Sequence, residues 1–311
     1  MALAPSIRAF VDRALRPVFE RFDRLEARAA AAERGVEQLR AAVGRVEARQ
    51  LGLDSRGGGP LAAHEFRAFS QWGEDGIIRW LVREAEAAPK VFVEFGVEDY
   101  GEANTRFLAE HDNWTGLVID GGRENVERVR QSPVCWRQNL RAVEAFVTRD
   151  NINALISGAG LGGDIGLLSI DIDGNDYWVW EAIDVVSPAV VVVEYNHRFG
   201  RDLGVTIPYE EEFRRGARHP VYYFGASLKA LCLLGARKGY AFVGCNGNGV
   251  NAFFVRRDKM TPSLRELTPE EGYVEGSFTE SRDERGLFVP ADVERERLEL
   301  LRLPLVAVSA T

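Results

Sequence analysis

GLLSIDIDGNDYWVWEAIDVVSPAVVVVEYN, residues 166–196, contains two short apolar runs with a longer stretch of helical character between them. The runs predict strands at Gly166–Asp173 and Ala189–Glu194, and the stretch between them predicts a helix near 176–184. Strands that alternate with helices in this way are typical of a parallel sheet whose faces are covered by helices. We therefore expect an α/β fold.

The same alternation occurs upstream of residue 166. It predicts strands at Val91–Phe95, Gly116–Asp120 and Val134–Arg137, with helices near 103–111, 123–131 and 144–156. Downstream, a helix at Ser227–Lys238 precedes strands at Tyr240–Gly244 and Val250–Arg256. The connection between these two strands, CNGNG, is short and rich in Asn and Gly, which predicts an antiparallel hairpin. A seven-stranded, mainly parallel Rossmann-like sheet with a terminal antiparallel hairpin is the arrangement of class I methyltransferases.

The chain before this domain has a different periodicity. From residue 15 to residue 50 one set of residues follows steps of three and four, which is the a/d pattern of a coiled coil. We call this set the seam: Leu15, Val18, Phe22, Leu25, Ala29, Ala32, Val36, Leu39, Val43, Val46 and Gln50. A single amphipathic helix lying on its own catalytic domain is the alternative, but it would follow a 3.6-residue period and drift off the seam.

The charged residues that flank the seam favour a parallel homo-oligomer. With Leu15 at an a position, Arg21 and Arg28 fall at g positions, whereas Glu26 and Glu33 fall at e positions. In a parallel pair, each arginine would lie opposite a glutamate of the other helix. We expect residues 1–50 to form an oligomerisation helix, 51–60 a linker, 61–258 the methyltransferase-like domain and 259–311 a C-terminal wrapping tail.

Composition and charge exclude several classes of protein. The 311-residue chain has no apolar run long enough to cross a membrane, and its net charge is −8 although residues 1–50 are basic. An acidic main domain argues against a nucleic-acid partner. Three widely spaced cysteines suggest buried free thiols in a cytoplasmic setting. An apolar face formed by Ile7, Phe10, Val11, Ala14 and Leu15 leaves open either a peripheral contact with the inner face of a membrane or an extension of the seam that is broken near Pro17.

Polar residues follow the first three predicted strands, where ligands bind in open parallel sheets. Glu94 and Gly96 end the first strand; the carboxylate would bind an amino group and the glycine would let the backbone approach a ligand. Asp120 and Gly121 end the second strand, with the acid placed to accept the two hydroxyls of a ribose. Gln138 and Asn139 follow the third strand, near the expected position of an adenine.

The fourth and fifth strands end in a group of acidic residues. Period-two alternation predicts that Asp171 and Asp173 point to one face, and Glu194 and His197 end the neighbouring strand together with Asn196. Two carboxylates placed side by side are costly unless a cation, hydrogen-bond donors or a shared proton compensates. We expect a functional cluster here. Helix capping by Asp173 and Asp176 is the alternative, although it leaves Asp171 and Glu194 unexplained.

Five blocks of this sequence resemble the FkbM-type methyltransferases and their relatives from polysaccharide and glycolipid gene clusters. The resemblance covers residues 66–256 and is carried by the blocks SQWGEDGII, VFVEFGVEDYGEANT, GLVIDGG, LLSIDIDGNDYWVWEAI and VVVVEYN.

The resemblance implies a role for several of these residues. Glu94 and Gly96 match the family's cofactor loop, and Asp120 matches its ribose-binding acid. Asp171, Asp173 and Gly174 match its Asp-x-Glu-Gly motif, with Asp173 replacing the usual second acid, and Glu194 matches its second acidic strand end. Ser70 and Gln71 match a segment that folds over the cofactor.

The implied reaction is O-methyl transfer from S-adenosylmethionine to a sugar hydroxyl of a polysaccharide, glycolipid or related glycoconjugate. His197 or Asp173 would be the base; the alternative is that Asp171, Asp173 and Glu194 hold a divalent cation, Mg²⁺ or Mn²⁺, that acidifies the hydroxyl. Two other functions stay open at this point. One is a catalytically inactive scaffold in a glycan-assembly complex, and the other is an NAD- or nucleotide-sugar-dependent Rossmann enzyme.

Overall fold

The chain folds around one seven-stranded sheet with the strand order β3-β2-β1-β4-β5-β8-β7. A computed structural model describes residues 5–54, 60–276, 287–290 and 292–309. Strands β1 to β5 are mutually parallel, whereas β8 is antiparallel to both β5 and β7. These strands are β1 Val91–Phe95, β2 Thr115–Asp120, β3 Arg141–Glu144, β4 Gly163–Ile170, β5 Val186–Glu194, β7 Tyr240–Cys245 and β8 Asn251–Arg256.

Helices cover both faces of this sheet. Two short strands, β6 Val205–Thr206 and β9 Val306–Ala307, form a separate antiparallel sheet. The helices are α1 Pro5–Asp54, α2 Glu74–Glu84, α3 Arg106–Asp112, α4 Arg123–Gln131, α5 Pro133–Arg137, α6 Ile152–Gly158, α7 Asp176–Ala182, α8 Leu228–Arg237, α9 Pro269–Gly272 and α10 Val293–Leu300. The predicted seven-stranded sheet with a terminal antiparallel hairpin is confirmed.

The alternation of side chains along each strand divides the core between the two faces. On β4, for example, Leu168 and Ile170 pack with α6, α7 and α8, whereas Leu167 faces α2, α3 and α4 on the other side. Because both faces of the central strands are buried, their sequences are continuously apolar until the strand ends. Polar residues on these strands are therefore concentrated at the edges of the sheet.

The prediction of the third strand was wrong. Residues 134–137 belong to the short helix α5, which begins with Pro133 at a position where a missing N–H costs nothing. The third strand is Arg141–Glu144, whose flanking charges and short length hid it from the hydrophobic pattern. Gln138 and Asn139 consequently precede this strand rather than follow it, and the carbonyl oxygen of Asn139 accepts a hydrogen bond from Thr115 at the start of β2.

Helix α1 is continuous from Pro5 to Asp54, so it includes Pro17 and runs four residues into the predicted linker. Its last part packs on the main domain. Gly44 and Ala48 are buried, and Ala41 and Leu51 adjoin Ala48 in a cluster with Phe66, Ala68, Phe69 and Phe107. An ion pair joins Glu37 to Arg106 of α3. The side chains of residues 1–12, including the predicted apolar face of Ile7, Phe10 and Val11, lie outside the described part.

Two stretches of the tail pack against the main domain. Residues 260–276 run along β7, where Leu267 donates its N–H to Phe242, and then reach β5, where the hydroxyl of Tyr195 donates to Val274. Helix α10 packs on the segment that follows β5, where the fully buried Leu300 clusters with Phe199, Tyr222 and Tyr223. Among the described helices, none combines the length and the apolarity that crossing a membrane requires.

Two glycines of α1 give a matched test of its docking. A Cβ on Gly44 would lie 2.7 Å from the Cβ of Ala68 and 2.8 Å from the buried ring of Phe107, whereas a Cβ on Gly35 would meet nothing within 4 Å. We expect Gly44→Ala to destabilise the protein by about 1–3 kcal/mol through overpacking. Gly35→Ala should stabilise it by up to ~1 kcal/mol through helix propensity. Denaturant unfolding measures both changes, and shifts of the same sign would contradict the docking.

Candidate active site

A cavity of about 610 Å³ opens at the carboxyl edge of the parallel strands. Glu94 of β1, Asp120 of β2, Asp171 after β4 and Glu194 of β5 all line it, so four neighbouring strands each contribute an acid. Ligands in open α/β sheets bind in the crevice outside the carboxyl ends of the strands, where the strand order reverses. Here the order reverses between β1 and β4, and the cavity lies at that position.

Glu94 caps the start of helix α3. One carboxylate oxygen accepts the N–H of Asn104 at 2.8 Å, and the other accepts the N–H and the hydroxyl of Thr105. Burial raises the pKa of Glu94 to about 7, against the effect of these hydrogen bonds. The sequence predicted a carboxylate that binds a ligand's amino group, but all of these contacts anchor the loop between β1 and α3.

Gly96 is required by a close approach within the protein. Its φ is +77°, and a Cβ there would lie 2.8 Å from the carbonyl carbon of Asp171 and closer still to the oxygen. The loop after β1 therefore rests directly on the end of β4. Gly96 also lines the cavity, as predicted, but its backbone is held by the chain itself.

Asp120 and Gly121 lie in the predicted position at the end of β2. The Asp120 carboxylate accepts the N–H of Glu98 at 2.8 Å and that of Gly122 at 2.7 Å, so it ties two cavity loops together. A carboxylate has about four lone-pair sites, which leaves capacity for a further donor. Gly121 lies beside the ring of Phe146. Gln138 and Asn139 do not reach this cavity, and Ala145, Phe146 and Val147 line it after β3 instead.

Asp171, Asp173 and Glu194 come together. One carboxylate oxygen from each lies within 4.8 Å of the others. Ile170 of β4 pairs with Val193 of β5, so the next residues of the two strands, Asp171 and Glu194, lie side by side. The predicted alternation holds only as far as Ile170, where β4 ends. Asp173 reaches the cluster through a left-handed backbone conformation, with φ +54°.

Burial and mutual repulsion govern the ionisation of this cluster. Burial, followed by the charge of Asp173, raises the pKa of Asp171 well above its usual range. Burial, followed by the charge of Asp171, does the same for the pKa of Glu194. The Asp171–Glu194 pair therefore holds a proton at higher pH than exposed carboxylates do.

Asp173 and Asp176 have different roles. Asp173 forms an ion pair with Arg215, whose guanidinium also donates to the carbonyl of Val221 and lies 4.0 Å from the ring centre of Phe224. Asp176 is fully buried and accepts the N–H groups of Ile172 and Gly174, at 2.8 and 2.9 Å. Asp176, the first residue of α7, therefore holds the turn before this helix, and neither Asp173 nor Asp176 caps the N–H groups of the helix.

His197 lines the cavity, whereas its neighbour Asn196 does not. The buried ring of His197 packs against Gly276 of the tail, and Tyr273 donates to its carbonyl oxygen at 2.8 Å. The amide of Asn196 donates instead to the carbonyls of Tyr222 and Phe224. The tail thus forms part of the wall behind the cluster.

Ser70 and Gln71 also differ in whether they reach the cavity: Gln71 does and Ser70 does not. The buried hydroxyl of Ser70 bonds to Asp75, and the same Asp75 oxygen accepts the N–H groups of Ala68, Phe69 and Ser70. Ser70 therefore shapes the turn before α2, whereas Gln71 lines the cavity beside Trp72.

Several residues of the cavity were missed from the sequence. Arg214 and Arg215 come from the loop between β6 and α8, which has no strand-end signal, and Phe213 of that loop packs on Gly174. Phe146 was hidden because the third strand was misplaced. A charged and aromatic run such as FRRGAR shows no periodicity that would direct it to the cavity.

Comparison with known proteins finds only distant structural similarity. No family model and no curated protein matches this chain. The N-terminal domain of EvdMO1 with SAH bound is 13% identical, with 68% of this chain and 94% of that one covered, at a TM-score of 0.40.

Two further solved structures are similar at the same level. A putative caffeoyl-CoA O-methyltransferase from Staphylococcus aureus is 15% identical over 58% of this chain and 82% of that one, with a TM-score of 0.40. An O-methyltransferase from Bacillus cereus in complex with SAH is 12% identical over 68% and 89%, with a TM-score of 0.39. Similarities this distant carry no conclusion about this chain, so its function has to be inferred from the cavity itself.

The capping role of Glu94 can be tested by truncation. Glu94→Ala would leave two N–H groups and one hydroxyl near α3 without their acceptor, so we expect it to lower the free energy of unfolding by about 2–4 kcal/mol. Glu102→Ala is the control, because Glu102 lines the same cavity but forms only an exposed ion pair with Arg67. Glu102→Ala should lower the free energy of unfolding by less than about 1 kcal/mol, as measured by thermal or denaturant unfolding. Equal effects would show that Glu94 does not anchor the loop.

Proposed function

We propose that this protein is an S-adenosylmethionine-dependent O-methyltransferase whose acceptor is a sugar hydroxyl of a polysaccharide, glycolipid or related glycoconjugate. The observation that carries the choice of donor is the position of Glu94. Dinucleotide cofactors set their diphosphate at the helix N-terminus that follows the first strand. In this chain the carboxylate of Glu94 occupies the N–H groups of Asn104 and Thr105 directly before α3, and its charge at this position disfavours a diphosphate.

The charge of the cavity favours the same donor. Glu94, Glu98, Asp120, Asp171 and Glu194 all line it, and two of its arginines are engaged by acids: Arg215 by Asp173 and Arg198 by Glu296, the latter at 2.7 Å. Even when the Asp171–Glu194 pair holds a proton, Glu98 and Asp120 leave an acidic lining that disfavours a diphosphate and attracts the ammonium and sulfonium groups of S-adenosylmethionine. The acidic lining therefore disfavours the NAD- and nucleotide-sugar-dependent alternative.

The cavity also fits the parts of this cofactor. Its volume is within the ordinary range for small-molecule sites, about 300–1,000 Å³. Asp120 would hold the ribose hydroxyls, while Phe146 and Val147 offer an apolar wall for the adenine next to Gly121. The methionine end would lie toward Asp171. When bound, the cofactor would supply an activated methyl group.

The protein's own contribution is to align the acceptor and take its proton. The Asp171–Glu194 pair is a better base than Asp173, because Asp173 is engaged by Arg215 and a raised pKa strengthens a carboxylate as a proton acceptor. We infer that the acceptor hydroxyl donates to this pair, with His197 and Arg215 close enough to position it. Most of the rate enhancement would come from aligning the acceptor oxygen with the methyl carbon and the sulfur of the cofactor.

A divalent cation is the alternative to this base. The three carboxylates offer the oxygen donors that Mg²⁺ or Mn²⁺ prefers. The guanidinium of Arg215 already neutralises Asp173, which reduces both the charge and the number of ligands left for a metal. We therefore propose catalysis without a metal, and expect turnover to persist in EDTA; lost turnover that returns with Mg²⁺ or Mn²⁺ would assign the cluster to a cation.

The surroundings of the cavity support an extended acceptor. A second depression of about 520 Å³ adjoins it and shares Phe146, Phe213 and Arg214 with it. Exposed aromatic rings next to charged side chains suit the apolar faces and hydroxyl edges of sugar rings. A glycan chain would extend from the reacting unit into this depression.

Calorimetry discriminates among the three candidate functions. We expect binding heat with S-adenosylhomocysteine and none with NAD. Asp120→Asn should weaken binding at least about tenfold, since a hydrogen bond to a charged group contributes about 1.5–3 kcal/mol. Glu144→Gln is the control, because Glu144 pairs with Asp120 in the sheet register but is exposed. Absence of heat with either ligand would favour the scaffold, and heat with NAD alone would overturn the proposal.

The pH dependence of methyl transfer tests the base. Only the unprotonated carboxylate accepts a proton, so the rate should rise with pH through the raised pKa of the Asp171–Glu194 pair, above the ordinary carboxylate range. Glu194→Gln removes one of the two repelling charges. We expect it to move this rise to lower pH and to reduce kcat by about 10²- to 10⁴-fold.

Glu98→Gln is the matched control for this experiment, because Glu98 is exposed and lines the cavity away from the pair. Its pH profile should coincide with that of the unaltered protein. An unchanged profile in Glu194→Gln would assign the proton transfer to another group, with His197 as the first candidate.

A further inference from the structure

We propose that α1 pairs with α1 of a second copy of this chain in a parallel, in-register, two-stranded coiled coil through the seam. The inference is independent of the proposed enzymatic function. It rests on three observations: the exposure of the seam, the face by which α1 docks on its own domain, and the charges that border the seam.

The apolar side chains of the seam are exposed in the single chain. Eight of them leave between 42% and 66% of their surface open, and they run along almost the whole helix: Leu15, Val18, Phe22, Leu25, Val36, Leu39, Val43 and Val46. A continuous apolar stripe of this length is unusual on a monomer and indicates an interaction surface. The heptad spacing specifies a second helix as its partner.

Docking on the main domain uses the other face of α1. With Leu15 at a, the packed residues Ala41 and Ala48 fall at f, and Gly44 and Leu51 fall at b. Positions b and f point away from the partner in a two-stranded coil. Val43 and Val46 remain exposed in the very segment that docks. One helix can therefore hold its own domain and a second copy simultaneously.

This division of faces excludes the simplest competing explanation. A helix whose apolar residues served only to cover its own domain would bury the seam and expose b and f. The observed helix does the opposite from residue 41 to residue 51. The apolar side chains of the seam therefore remain exposed after α1 has packed on its own domain.

The bordering charges select the parallel orientation. In a parallel pair, Arg21 at g faces Glu26 at e of the partner helix, and Arg28 faces Glu33 in the same way. An antiparallel pair would oppose g to g and e to e, which brings arginine toward arginine and glutamate toward glutamate. Like charges at these positions destabilise the wrong orientation.

The oligomeric state of the full chain tests the proposal. Light scattering or sedimentation should give twice the 34.6 kDa mass of one chain. Leu25→Glu places a charge in the seam of both helices and should weaken the dimer at least a hundredfold. Ala27→Glu is the control, because Ala27 lies at the outward f position and is exposed; it should leave the mass of a dimer. A monomeric unaltered chain, or equal behaviour of the two variants, would overturn the proposal.

A second variant pair tests orientation and guards against misfolding. Leu25→Cys should give a disulfide-linked dimer under mild oxidation, because in-register parallel helices bring the two Leu25 positions together. Ala27→Cys should not. A crosslink with Ala27→Cys alone would contradict the geometry. Thermal unfolding of the main domain should be unaltered in Leu25→Glu, because Leu25 lies about three turns before Glu37, which pairs with Arg106 of the main domain.

Discussion

The burial of carboxylates at one edge of the sheet is the constraint on which the rest of this structure depends. Four neighbouring parallel strands carry an acid at their carboxyl ends, and each acid is accommodated in a different manner. Glu94 accepts the N–H groups of Asn104 and Thr105 before α3, and Asp120 accepts N–H groups from two loops. Asp171 and Glu194 face each other with raised pKa values, so a bound proton reduces the charge of the pair. A carboxylate removed from water without such compensation would cost several kcal/mol.

The loops around the cavity are arranged by these acids. Glu94 anchors the segment between β1 and α3, Gly96 lets that segment rest on Asp171, and Asp176 holds the turn that carries Asp173. Glu98 and Asp173 both have positive φ values, which are uncommon for residues with a side chain and cluster at functional sites. Loops held by the chain's own contacts lose less entropy when a ligand binds.

Much of this arrangement was predictable because strand ends are local features of the sequence. Apolar runs that stop at an acid located Glu94, Asp120, Asp171 and Glu194, and the Asn/Gly-rich connection revealed the hairpin. The third strand was not predictable in this way, since Arg141–Glu144 offers only two apolar residues while the helical turn at Val134–Arg137 offers more. That error also misplaced Gln138 and Asn139.

Contacts between distant segments were beyond the reach of periodicity. Nothing near Asp173 announces its pairing with Arg215, which comes from a loop more than forty residues later. Equally, Ser70 and Asn196 look like site residues because they adjoin Gln71 and His197, but their side chains bond to the backbone of their own surroundings or to Asp75. Adjacent residues of a loop point in different directions, and only the tertiary structure decides which of them reaches the cavity.

A crystal structure with S-adenosylhomocysteine tests the central claim most directly, because it locates every part of the cofactor relative to the acidic edge. We expect ribose hydroxyls on Asp120, the adenine beside Phe146, and the sulfur turned toward Asp171 and Glu194. A cofactor product bound elsewhere, or with its sulfur directed away from that pair, would contradict it.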